Sequence, residues 1–177
     1  MHLPIASVAS RGTPRPAGES AGLRDDRRHR VINHMKREYP EAPIVGVGAV
    51  IVRDDRVLLV KRGHPPFAGE WSIPGGALEL GETVRDAVIR EAREETGAVV
   101  EPIALLGVYD RVIRDAASRT VYHYVLIDFL CTASSEEINA ASDAEEARWF
   151  TMEEVSRMLL ATDTAEVIRL GFEKTAL

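Results

Sequence analysis

Three observations predict an α/β fold with helices packed on the faces of a sheet. Apolar, β-branched runs of strand length occur in both halves of the chain, one helical stretch lies between them, and a capping box opens a further helix near the end. At 177 residues the chain is expected to form one domain with a core large enough to need no disulfide or structural metal.

Order is expected to begin near Ile44. Residues 1–40 carry Arg11, Arg15, Arg24, Arg27, Arg28 and Arg30 among prolines and glycines, without apolar periodicity, and read as a disordered N-terminal extension. An organelle-targeting segment is the competing reading, although Glu19, Asp25 and Asp26 are unusual for one; a natural start at Met35 is the third. The folded domain is then residues 41–177. Ile44–Val52 and Val57–Val60 read as strands, joined through the polar turn Arg53-Asp54-Asp55-Arg56 into a hairpin. Trp71–Ile73 is short and extended, ended by Pro74 and Gly75-Gly76. Glu82–Thr96 is helical with Gly97 as its terminator. Ile103–Tyr109 and Val121–Thr132 are strands separated by the charged loop Asp110–Arg119. Ala147–Phe150 is a further strand. Thr151-Met152-Glu153-Glu154 caps a helix to about Leu160, and Thr164–Phe172 is the last helix.

The net charge of −6 argues against binding a nucleic-acid duplex, and no apolar run is long enough to span a membrane. The single cysteine, Cys131, excludes an intrachain disulfide; it sits in an apolar strand, reads as a buried, inert thiol, and fits a reducing, cytoplasmic setting.

The chemistry is concentrated between Gly75 and Ala98. At helical spacing Glu91, Glu94 and Glu95 share one face, while Val84, Val88 and Ala92 form a separate apolar stripe. Three crowded carboxylates repel one another, at roughly 0.2–0.5 kcal/mol per like-charge pair. A hard divalent cation converts that repulsion into binding, because Mg²⁺ prefers oxygen ligands. The alternative is a solvated, salt-bridged helix face. Gly75-Gly76 ahead of the helix favours the site, since backbone without Cβ bulk leaves room for a phosphate and offers a carbonyl ligand. Without metal, like-charge repulsion is expected to raise at least one glutamate pKa.

This stretch resembles the Nudix box, with Gly76, Glu82, Arg90, Glu91, Ala92, Glu94, Glu95, Gly97 and Ala98 at its defined positions. A chance match has a frequency of roughly one in 10⁸ per start position. The chain is therefore identified as similar to Nudix hydrolases, over residues 44–172. The resemblance implies an α/β/α sandwich around a mixed β-sheet, and Mg²⁺ (with Mn²⁺ as a substitute) held by Glu91, Glu94, Glu95 and the Gly75 carbonyl. It further implies that Arg90 holds the glutamates and Glu82 fixes Arg90, while water attacks the pyrophosphate of a nucleoside diphosphate linked to another group. The general base is then Glu94 or Glu91 in the box, or Asp143, Glu145 or Glu146 in the acidic loop 141–146. Lys61, Arg62 and Gly76 are the expected substrate contacts. Phe67, Trp71, Tyr109, Tyr122 and Tyr124 could supply a stacking partner. The ADP-ribose pyrophosphatase-like branch is the nearest in pattern, although Ile113 stands where that branch often carries proline. Nucleoside triphosphates and dinucleoside polyphosphates follow as substrates. The competing class is a nucleotide or ADP-ribose sensor without hydrolysis. Homodimer formation is compatible with all of these readings.

Overall fold

The structure is a computed structural model that describes residues 36–64, 67–134, 137–140 and 144–175. Most of the expected extension, residues 1–35, lies outside them, as does Asp143. Within its last five residues, Tyr39 donates its N–H to Val121 O at 2.7 Å and its hydroxyl to Asp115 at 3.3 Å.

The elements are β1 (Ile44–Arg53), β2 (Arg56–Arg62), β3 (Trp71–Ser72), β4 (Gly75–Ala77), α1 (Val84–Thr96), β5 (Val100–Arg114), β6 (Thr120–Ala133), β7 (Ala144–Thr151), α2 (Met152–Ser156) and α3 (Thr162–Thr175). The strand order is β3-β2-β1-β6-β5, with β4 paired to β1 and β7 to β2. β1 runs parallel to β6 and antiparallel to β2 and β4, so the sheet is mixed. The predicted hairpin closes with Val52 opposite Val57.

The alternation of β1 builds the two sides of the sheet. Val47, Ala49 and Ile51 pack with Ala87, Val88 and Ala92 of α1. Val50 and Val52 join Val155 of α2 and Val167 and Ile168 of α3 in a second cluster. A helix layer therefore covers each face, which is the α/β/α sandwich. No helix among the described residues is long and apolar enough to cross a membrane.

Four elements depart from the expectation. Gly75-Gly76 do not merely end an extended segment; with Ala77 they form β4, opposite Val47 and Gly48. The first half of the loop Asp110–Arg119 is strand, because β5 continues to Arg114 in the β5–β6 hairpin. Ala144–Glu146 of the expected acidic loop belong to β7, paired with Lys61 and Arg62. The capped helix stops at Ser156, where Arg157 takes over its C-cap.

Candidate functional site

Helix α1 is fixed at both ends by its own sequence. Thr83 caps the N-terminus by accepting the Asp86 N–H, and Gly97 ends the helix at φ 70°, where a side chain would be strained. Val88 and Ala92 are buried, so the predicted apolar stripe does face the core. That rotation turns Glu91 and Glu95 toward β4, with Glu94 beside them at Arg90.

Arg90 organises the acidic face. Its Nε and Nη2 donate to the two oxygens of Glu82 at 2.8 and 2.9 Å. Nη1 donates to Glu91 at 2.8 Å and to Glu94 at 3.3 Å, and Nη2 also reaches Ala77 O at 3.1 Å. Glu82 thus holds Arg90 by a two-point bond, and Arg90 holds the glutamates. Its guanidinium depresses the Glu82 pKa, and Glu82 in turn pushes that of Arg90 further up. The Glu91 pKa is raised, first by burial and only then by Glu94 and Glu82, with Arg90 opposing. Like-charge repulsion, the expected cause, is thus the lesser contribution.

The fourth side of the site is glycine backbone. Gly75 N–H donates to Glu95 Oε2 at 3.0 Å, and Glu95 is itself buried. A Cβ on Gly76 would lie 2.3 Å from Glu91 Oε1. Alanine does not fit there unless Glu91 moves, so glycine is a packing requirement at this position.

No three acidic side chains among the described residues converge on one point. Glu91 and Glu94 are turned to Arg90 and Glu95 to Gly75 N–H, as carboxylates spread toward the nearest donors. The donor set is nonetheless all oxygen, crowded, and faces backbone stripped of side chains, which suits a hard divalent cation.

The remaining predicted residues fall elsewhere. Lys61 Nζ lies 3.4 Å from Glu145 across the β2–β7 pair, so these two sites are coupled to each other. Glu146 stands opposite Lys61 in the same ladder. Arg62 lines a pocket with a cavity volume of about 120 Å³ that opens beside Gly75 and Gly76. Of the aromatic candidates, Phe67 and Tyr124 reach this pocket, and Tyr122 bridges them at ring distances of 6.2 and 6.3 Å. Trp71 instead packs edge-on against Phe150.

Sequence reasoning missed the far wall of that pocket, where Arg37, Arg111, Asp128, Asp163 and Thr164 come together. Arg111 donates to both Asp163 oxygens, at 2.8 and 2.5 Å. Asp128 is buried, and its pKa is pushed up to about 6 by burial and by Asp163, with Arg111 opposing. Two signals were visible: an aspartate inside the apolar run of β6, and Gly46 and Gly48 inside β1, where glycine marks a close approach.

Comparison with known proteins fits this geometry. A family model described as NUDIX domain matches residues 42–171. The chain is 39% identical over 127 residues to the ADP-ribose pyrophosphatase of Methanocaldococcus jannaschii, covering 72% of each chain. It resembles the crystal structure of a MutT NUDIX hydrolase from Burkholderia pseudomallei with a TM-score of 0.64 at 38% identity, over 73% of this chain and 98% of the other. The NUDIX domain of Shewanella oneidensis NrtR, crystallised with ADP ribose, aligns with a TM-score of 0.62 at 26% identity, over 76% of this chain and 90% of that one. With its box residues assembled around Arg90, and with a match spanning both helix layers, the chain belongs to the Nudix family and is a hydrolase of pyrophosphate bonds.

Proposed function

We propose that the protein is a Mg²⁺-dependent pyrophosphohydrolase that cleaves a nucleoside diphosphate linked to another group, with ADP-ribose as the first substrate to test. The observation that carries this reading is the packing of Glu91 and Glu95 against the Gly75-Gly76 backbone that lines a pocket, with Arg90 tying Glu91 and Glu94 to Glu82. The relatedness to an ADP-ribose pyrophosphatase supports the choice of substrate.

Glu91, Glu94 and Glu95 would hold the cation, with the Gly75 carbonyl as a further ligand; Mn²⁺ is expected to substitute. When bound, the cation supplies charge for the phosphate oxygens and lowers the pKa of a water molecule. The protein does the rest. Gly76 lets the Glu91 carboxylate pack directly onto the backbone of β4. Arg90 and Glu82 keep the glutamates from collapsing. Glu94 is the most exposed carboxylate of the Arg90 network and makes its longest bond, 3.3 Å to Arg90, so it is the freest to accept a proton from water. Glu145 is engaged by Lys61 and is the second choice as base. Arg62 is positioned to meet charge at the pocket wall.

The test is turnover. Purified protein with Mg²⁺ should release a mononucleotide from at least one of ADP-ribose, NADH, dinucleoside polyphosphates, nucleotide sugars and nucleoside triphosphates. Glu94→Gln and Glu95→Gln should each lower kcat by at least about a hundredfold, the scale of a lost proton-transfer or charge-stabilising group. Wild-type rates in both variants would remove the site assignment. The competing outcome of this test is binding without hydrolysis. Tight calorimetric binding without product across the whole panel would select it.

A further inference from the structure

The pocket beside Gly75 and Gly76 contains polar groups that the protein itself leaves unused. Ser72 Oγ and Arg62 Nε are buried without a hydrogen-bond partner among the described residues, and both residues line this pocket. Asp128 lines it too, is only 5% exposed, and its carboxylate accepts no hydrogen bond among the described residues. Its neighbour Asp163 shows the contrast, since Arg111 satisfies both of its oxygens. Burying a carboxyl group without a partner is unfavourable, and folded proteins seldom retain one without use. The local structure also makes room for it. A Cβ on Gly48 would lie 2.3 Å from Asp128 Oδ1, so only a glycine in β1 lets this carboxylate stand where it does. Ile73 and Leu126 give the same pocket apolar walls, against which a hydrogen bond to Asp128 would be shielded from water.

We propose that Asp128 is a specificity-determining residue: its two oxygens accept a pair of adjacent hydrogen-bond donors on the part of the substrate beyond the pyrophosphate, with Ser72 Oγ as the neighbouring contact. The proposal rests on the hydrolase reading above, which places the pyrophosphate at Gly75-Gly76. A carboxylate accepts and cannot donate, so it favours groups that present two donors side by side. A ribose cis-diol does so, and so does the N1–H and amino edge of guanine. The six-membered edge of adenine offers an amine next to a ring acceptor, which would oppose the second oxygen. If ADP-ribose is the substrate, Asp128 therefore reads a ribose diol and not the adenine ring.

Asp128→Asn tests this, because it keeps the shape while replacing one acceptor by a donor. For the preferred substrate KM should rise by about tenfold, the usual result of mismatching a buried polar contact, while kcat stays within about threefold. The two sources of paired donors separate in the panel. If Asp128 reads guanine, wild type should prefer GTP to ITP, which lacks the amino group, and the variant should lose that preference. If it reads a diol, the variant should weaken every ribonucleotide alike and leave the 2′,3′-dideoxy forms unchanged. Melting curves check the fold. Should Asp128→Asn fail to fold, Ser72→Ala serves in its place, with a smaller KM effect in the same direction. Should no substrate be turned over, calorimetric Kd values for GMP, IMP, AMP and their dideoxy forms replace KM, so failure of the hydrolase reading is distinguished from failure of this one. Equal KM or Kd values in wild type and both variants would overturn the proposal, as would a fall confined to kcat.

Discussion

Arg90 commits its guanidinium to four acceptors, Glu82, Glu91, Glu94 and Ala77 O, and this sets what its removal does. Arg90→Ala leaves the half-buried Glu91 without its cation, so it should cost about 2–4 kcal/mol in stability, read by denaturant unfolding, and lower kcat more than it raises KM. An unchanged kcat in folded variant would show that the network is structural only. Gly76→Ala separates packing from charge: its Cβ would sit 2.3 Å from Glu91 Oε1, so Glu91 must turn away. Activity should drop by at least about tenfold, on the scale of a displaced catalytic group, with a near-native far-UV circular dichroism spectrum; full activity would mean Glu91 is not needed where it stands. Asp128 gives a pH signature. Its folded pKa of about 6 lies above the ordinary carboxylate value, so folding favours its protonated form. That stabilisation is complete below about pH 4 and is lost as pH rises through about 6. Asp128→Asn should therefore be more stable than wild type above pH 7, on the order of 1–3 kcal/mol, with the difference fading toward pH 4. A constant difference across that range would contradict the shift. The Arg90–Glu82 pairing was legible only through the resemblance to the box, because Glu82 stands before the N-cap Thr83 and helical spacing does not reach it. Asp128 was not, since its importance comes from strands far apart in sequence.

Among the elements, α1 was the most legible, because a 3.6-residue period, a capping threonine and a terminal glycine all agree. Its cap can be tested apart from the chemistry. Thr83→Ala removes the acceptor for the Asp86 N–H and should cost about 1 kcal/mol by chemical denaturation. Since Glu91, Glu94 and Glu95 lie two to three turns further on, kcat should stay within about twofold, the effect being local to the first turn. A large loss of activity would mean that the first turn also positions the site. β4 was illegible for a physical reason: two glycines and an alanine carry no strand propensity, and their extended shape comes from pairing with β1. The same holds at 110–114 and 144–146, where charged residues look like loop but are held in ladders by partners across the sheet. The capping box of α2 marked a start and said nothing of the end, so the helix proved shorter than expected.

At the scale of the molecule, the sandwich follows from β1, whose two faces feed two separate clusters beneath α1 and beneath α2 with α3. The box predicts that architecture through resemblance; the alternating faces of β1 explain it physically. What composition alone offered was a boundary, and it can be placed more sharply. Residues Lys36–Leu177 form one compact unit, and Tyr39 and Arg37 already belong to it. Tyr39 bonds Val121 O and Asp115, its ring lies under Arg119, and Arg37 lines the pocket. We propose that the N-terminal arm is dispensable up to Met35 and no further. A chain starting at Met35 should keep the melting temperature within about 2 °C, a change worth well under 1 kcal/mol for a domain of this size, and should keep kcat/KM. A chain starting at Ala42 loses Tyr39 and Arg37 together. It should melt several degrees lower, on the scale of about 1 kcal/mol for the lost bonds, and show a raised KM with little change in kcat, because a cation at the pocket wall is gone while the Arg90 network is intact. Equal behaviour of the two shortened chains would mean that residues 36–41 contribute nothing to the pocket. A loss already present in the longer one would mean that residues 1–34 support the fold or the site.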